Sequence, residues 1–151
     1  MIVSHSTKVA VLALVGLAFQ GRSEWLSSTQ LAEMIAGDLS FLQHVLNRLS
    51  HAGIIRSKRG RQSGFQLAMS AERKTLAEIA SALDGASRRN KCMFDAEPCG
   101  GESGCWLSDA WHPIREQVLR FMGTETTQSV TDRRRNRVET HKWSEMDQGA
   151  R

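Results

Sequence analysis

A mainly helical fold with one small β-hairpin, a winged helix-turn-helix followed by a long C-terminal helix, is predicted by this 151-residue sequence. Three observations carry that expectation. Two short amphipathic segments, 31–35 and 42–49, are separated only by Gly37-Asp38 and flanking residues, the pattern of a helix-turn-helix. Two segments that alternate apolar and polar residues, 54–58 and 65–69, flank a glycine-bearing basic turn, as in a hairpin. Late in the chain, Trp111, Ile114, Val118 and Phe121 recur at three- to four-residue steps, a narrow stripe suited to packing against another helix. With 40% apolar and 24% charged residues, most of the chain can bury a core.

Taken in order, residues 5–20 read as a first helix that is apolar nearly all round and therefore mostly buried, with Gly21 ending it. The run 9–19 follows Lys8 and superficially resembles a signal-peptide core. It is too short to span a bilayer, which takes roughly 20 residues. Its exit, Leu17-Ala18-Phe19-Gln20-Gly21, lacks a small-x-small cleavage site, so a cytoplasmic protein without a membrane partner is expected. Ser27 and Gln30 then form a capping box ahead of Leu31, Met34 and Ile35. Asp38 caps the next helix, whose Leu42, Val45, Leu46 and Leu49 follow the i, i+3, i+4, i+7 pattern, and Gly53 supplies its left-handed C-cap. After the hairpin, Thr75 and Glu78 make a second capping box for a helix with Leu76, Ile79 and Leu83 inward and Gly85 at its end. Residues 86–105 read as irregular. A last helix runs from about 109 to 122, with Pro113 near the end of its first turn, where a missing N–H costs little. Residues 124–151 lack apolar periodicity and read as a disordered tail.

The net charge of +4 divides unevenly. Residues 1–91 carry 12 basic and 6 acidic side chains, residues 92–123 carry 2 and 5, and residues 124–151 carry 6 and 5. An anionic partner for the first part follows from that asymmetry. Double-stranded DNA suits it, because a helix fits the major groove and the helix before it braces on the backbone. Ser40, Gln43, His44 and Asn47, on the leading turns of the third helix, are then the candidates to meet base edges, with Ser28 at the start of the preceding helix beside them. Four of the six residues from 56 to 61 are basic, and Arg56, Lys58, Arg59 and Arg61 would contact phosphates or reach into the minor groove. Five phosphate contacts would give a log–log salt slope of roughly −4 to −5. The competing reading is a winged helix that joins proteins, its basic hairpin a solvated loop. No Ser/His/Asp arrangement, phosphate loop or His-Glu-x-x-His occurs, so an enzyme is not expected.

Three cysteines, Cys92, Cys99 and Cys105, fall within 14 residues in a loop containing glycine and proline. An odd count points away from a disulfide scaffold. Thiolates at this spacing suit an iron–sulfur cluster completed by a fourth ligand. Zinc, which favours closer C-x2-C or C-x4-C pairs, a metal-free thiol redox sensor, an electron-transfer module and three unrelated thiols are the alternatives.

The combination of residues resembles the Rrf2 family of bacterial winged-helix regulators. The likeness lies in Leu42-x-x-Val45-Leu46-x-x-Leu49-x-x-Ala52-Gly53-Ile54-Ile55, in Arg59-Gly60-x-x-x-Gly64-Phe65-x-Leu67, in Thr75-Leu76-x-x-Ile79, and in the cysteine triplet followed by Ala110-Trp111; it covers about residues 1–130. The resemblance implies a homodimer whose long C-terminal helices cross, reading a partly palindromic operator as a transcription regulator, commonly a repressor. In iron–sulfur members a 2Fe–2S or 4Fe–4S cluster controls operator affinity in response to iron, nitric oxide or redox state. The chain is thus expected to divide into a winged helix-turn-helix DNA-binding domain (1–85), a cysteine-containing sensor loop (86–105), a dimerisation helix (106–123) and the disordered tail (124–151). The chain departs from the family pattern at three points. Ser108 stands where some members place a histidine ligand, and Lys8 stands where others use an aspartate, leaving His5, Asp109 and His112 as candidates for the fourth ligand, in that order. Arg61-Gln62-Ser63 replaces the usual glycines of the wing.

Overall fold

The computed structural model describes residues 3–21, 23–60, 63–68, 71–85 and 106–137. Helices α1 (His5–Gln20), α2 (Ser28–Met34) and α3 (Leu39–His51) lead into strands β1 (Ile55–Lys58) and β2 (Gly64–Leu67). A 3₁₀ turn at Ala71–Arg73 precedes α4 (Leu76–Asp84), α5 (Ser108–Thr124) and α6 (Thr127–Arg137). This is the mainly helical winged helix-turn-helix with a hairpin wing that the sequence predicts.

The all-round apolar character of α1 has a structural cause: α2, α3, α4, α6 and β2 all pack against it. Ala10, Ala13 and Leu14 on α1 are fully buried, as are Leu31, Leu42, Val45, Leu46, Leu49 and Ile79 from its neighbours. Ser4 starts α1 by accepting from the Thr7 backbone N–H at 3.0 Å. The buried Thr7 hydroxyl in turn donates to Asp84 Oδ2 at 2.7 Å, tying the first helix to the end of α4. Both capping boxes form as read, Ser27 with Gln30 and Thr75 with Glu78. The Thr75 N–H bond to Glu78 holds that carboxyl below its ordinary range, with smaller help from Lys74. The Asp38 carboxylate accepts from the Phe41 N–H at 2.6 Å to open α3. Gly53, at φ +67, closes α3 in the left-handed conformation that a side chain would strain.

The hairpin is antiparallel with Ile55 opposite Leu67 and Lys58 opposite Gly64. A third, single-residue strand is added at Leu26, whose N–H and C=O both bond to Phe65, at 3.0 and 2.7 Å. Gly64 permits that approach, since a Cβ there would sit 3.0 Å from the Leu26 carbonyl oxygen.

Two expectations are corrected. The stretch 124–151 is not a disordered tail throughout, because Thr127–Arg137 forms α6 and packs against α1. Its periodicity is invisible to an apolar count because it buries threonines: Thr127 and Thr131 are each 1% exposed, one helical turn apart. Thr126 and Ser129 cap each other's backbone N–H at 3.1 and 3.0 Å. The Arg135 guanidinium donates to the Ala18 carbonyl at 3.2 Å, and Arg134 lies 5.4 Å from the Phe19 ring centroid. Residues 138–151 lie outside the described residues. The second correction concerns Pro113. Because α5 starts at Ser108, Pro113 falls in its second turn and cannot donate to the Asp109 carbonyl, so its cost is larger than at a first-turn position.

Candidate nucleic-acid interface and sensor segment

Helix α3 turns Leu42, Val45, Leu46 and Leu49 inward, and its 3.6-residue period therefore puts Ser40, Gln43, His44 and Asn47 on the opposite face, all exposed. The turn before it is tight: the Gly37 N–H returns to the Ala32 carbonyl at 3.0 Å, and Ala36 adopts φ +49. That turn brings the start of α2 beside α3, where the Gln43 amide Nε2 donates to Ser28 Oγ at 3.3 Å. Ser28 and Gln43 are thus brought together as one polar surface. With one amide hydrogen directed at Ser28, Gln43 keeps an acceptor oxygen and a second donor for a base edge. Asn47 keeps its side chain exposed, while its backbone carbonyl is paired with His51 Nδ1 at 2.7 Å.

The wing supplies the positive charge. Arg56, Lys58 and Arg59 are exposed, and Arg61 lies outside the described residues. Ser50 Oγ donates to Ser57 Oγ at 3.2 Å, linking the end of α3 to β1. Trp25, which sequence reasoning passed over, belongs to this surface as well: the Lys58 ammonium lies 5.9 Å from its ring centroid. The signal was present as a lone aromatic between Glu24 and Leu26, but only the pairing of Leu26 with the wing reveals it.

Cys92, Cys99 and Cys105 lie outside the described residues, whose flanks are the end of α4 and the start of α5. Among the described residues no group of three or more metal-ligating side chains forms. The three candidates for a fourth ligand are differently placed. His5 is exposed and its ring lies 4.8 Å from that of Phe41. Asp109 is exposed in the first turn of α5 and accepts from Ser108 Oγ at 3.3 Å. His112 is half-buried, and its Nε2 is enclosed with no hydrogen-bond partner among the described residues. Trp111 Nε1 and the Arg115 Nε and Nη1 atoms on the same helix are likewise enclosed without a partner among the described residues.

The end of α4, which precedes the cysteine segment in the chain, is hydrogen-bonded to α3. Arg48 on α3 donates through Nη2 to the Leu83 carbonyl, and the adjacent Asp84 receives Thr7 from α1. Helix α5 leaves an apolar face open: Ile114 and Phe121 are 52% and 50% exposed, while Met122 faces the core.

A family model described as Rrf2, iron-dependent transcriptional regulator, matches residues 3–133. A Neisseria meningitidis chain designated an HTH-type transcriptional regulator is 26% identical over 129 residues, covering 85% of this chain and 86% of its own. The regulator IscR of Xenorhabdus nematophila is 27% identical over 117 residues, 78% of this chain and 71% of that protein. The fold is shared with CymR, the global cysteine regulator of B. subtilis, at a TM-score of 0.67 and 20% identity, covering 86% of this chain and 95% of that one.

Proposed function

This chain belongs to the Rrf2 family of transcriptional regulators, and from that premise we propose that it is a cytoplasmic, homodimeric repressor whose affinity for a DNA operator is set by an iron–sulfur cluster. The observation that carries this reading is the placement of the cysteine segment: it interrupts the chain between the end of α4, tied to the recognition helix, and α5. The exposed row Ser40, Gln43, His44 and Asn47 would read base edges, with Ser28 beside it. Arg56, Lys58, Arg59 and Arg61 would hold phosphates.

The donor chemistry fits a cluster. Three thiolates are soft ligands, and His112 offers an enclosed ring nitrogen that has no hydrogen-bond partner among the described residues. His112 is therefore favoured as the fourth ligand over His5, whose ring faces Phe41, and over the exposed Asp109. When bound, the cluster supplies reactivity toward oxidants, nitric oxide and iron loss. The chain's own residues carry the response. A shift at the root of the segment displaces Leu83 and Asp84. Arg48 passes that displacement to α3, and Thr7 passes it to α1. The open face of α5, with Ile114 and Phe121, suits a second copy of the chain, and a two-fold pair would present two recognition helices about 34–36 Å apart.

Anaerobic purification is expected to give a coloured protein with visible absorption that disappears in the Cys92→Ala/Cys99→Ala/Cys105→Ala variant. A colourless protein with stoichiometric zinc would refute the cluster. A colourless, metal-free protein whose DNA binding responds to thiol oxidation would favour a thiol sensor, the reading that the likeness to a cysteine regulator keeps open.

A further inference from the structure

We infer that Trp25 is a positioning residue of the DNA-binding surface: across Gly64 it holds the Lys58 ammonium ready to receive a backbone phosphate of double-stranded DNA. The inference rests on the DNA-binding reading of the α3 and wing surface given above.

The geometry begins with the third strand of the wing. The reciprocal bonds between Leu26 and Phe65 align this segment antiparallel to β2, so Trp25 stands opposite Gln66 and Ser27 opposite Gly64. On the other side of β2, Lys58 pairs with Gly64 and Arg56 with Gln66. Side chains alternate between the faces of a sheet. Leu26, Ile55 and Leu67 take the buried face, and Trp25, Arg56 and Lys58 therefore share the other. Gly64 lies between Lys58 and the third strand at residues 25–27 and carries no side chain, so the lysine stem can cross β2 to the indole. The ammonium arrives 5.9 Å from the ring centroid.

The charge environment favours an anion as the missing partner. The Lys58 side chain is exposed and makes no ion pair among the described residues; its ammonium lies against Trp25 and keeps hydrogens to donate. Arg56, on that face beside the neutral Gln66, and Arg59, next along the chain, are also cationic. A free lysine must give up rotamer freedom when it binds a phosphate. Docking on the indole removes part of that loss before DNA arrives, and the ring face attracts the cation. The indole thereby turns a mobile surface charge into a placed one.

The test uses the full chain and a duplex of about 25 base pairs of arbitrary sequence, followed by fluorescence anisotropy over a range of salt. Lys58→Met should weaken binding and reduce the magnitude of the log–log salt slope by about one. Trp25→Ala should weaken binding about two- to fivefold while Lys58 is present, and have no effect in the Lys58→Met background. Its effect should persist in the Arg56→Met background, and Trp25→Phe, which keeps a ring face, should retain most of the affinity. Equal losses from Trp25→Ala with and without Lys58, or no loss in either, would overturn the inference. Should Trp25→Ala not fold, Trp25→Phe and Trp25→Leu provide the same comparison of ring against no ring. A wild-type chain whose duplex binding is absent or independent of salt would instead refute the underlying DNA-binding reading, and the inference with it.

Discussion

Gly64 is the residue on which the third strand of the wing depends. Its missing Cβ lets the Leu26 carbonyl lie against β2, and a methyl group there would meet backbone oxygen and carbon at 3.0 and 3.2 Å. Backbone cannot give way as a side-chain tip can, so Gly64→Ala should cost about 1–3 kcal/mol, the usual range for overpacking. Chemical denaturation of the two proteins measures it; an unchanged midpoint would mean the segment at Leu26 can part from the wing freely. At this scale much of the molecule was legible. Asp38, Ser27 with Gln30, and Thr75 with Glu78 do what their spacing predicts, because a cap is satisfied within four residues of chain and needs no knowledge of the fold. Trp25 was not legible, because its role depends on β2 and on Lys58, more than thirty residues away. His112 was named from residue type alone, and its enclosed nitrogen is a property of the fold.

Among the elements, α3 and the wing could be read directly, since both expose one face and bury the other. Helix α6 could not. A helix that buries threonines and lays arginines along another helix presents no apolar stripe, and the same composition in isolation would be a solvated tail. Its start is held by a small polar cluster. Ser129 Oγ donates to Glu125 Oε2 at 2.6 Å, and Arg133 donates to Glu125 Oε1 at 2.5 Å. The Ser129 bond first, and then Arg133, lower the Glu125 carboxyl below its ordinary 4.5. Since the folded value is the lower one, the stabilisation is present above that ordinary value and is lost as the pH falls through the folded value. Thermal melts taken at decreasing pH below 4.5 should show this loss in the wild type and a smaller one in Glu125→Gln. Identical acid profiles would remove Glu125 from the corner between α5 and α6. Burial against α1 also lowers the Arg134 guanidinium to about 10, still charged at neutral pH.

In the whole molecule, α1 is the hub. It receives α6 through Ala18 and Phe19, α4 through Asp84, and packs against α2, α3 and β2. Helix α3, the hairpin and the end of α4 therefore share one core, and a change at residues 83–84 has short polar routes to α3 and α1 through Arg48 and Thr7. The sequence arithmetic foreshadowed this layout, with a basic first part joined to an acidic cysteine-bearing part, but it could not show which residues join them. The most direct test is operator binding by one anaerobic preparation, on a duplex selected by the protein from a random pool, before and after iron removal. For the wild type the apparent Kd should change at least tenfold between the two states, while Cys92→Ala/Cys99→Ala/Cys105→Ala should bind with one affinity under both conditions. Equal affinity of the wild type with and without iron, despite tight and salt-dependent binding, would contradict control of the operator by a cluster.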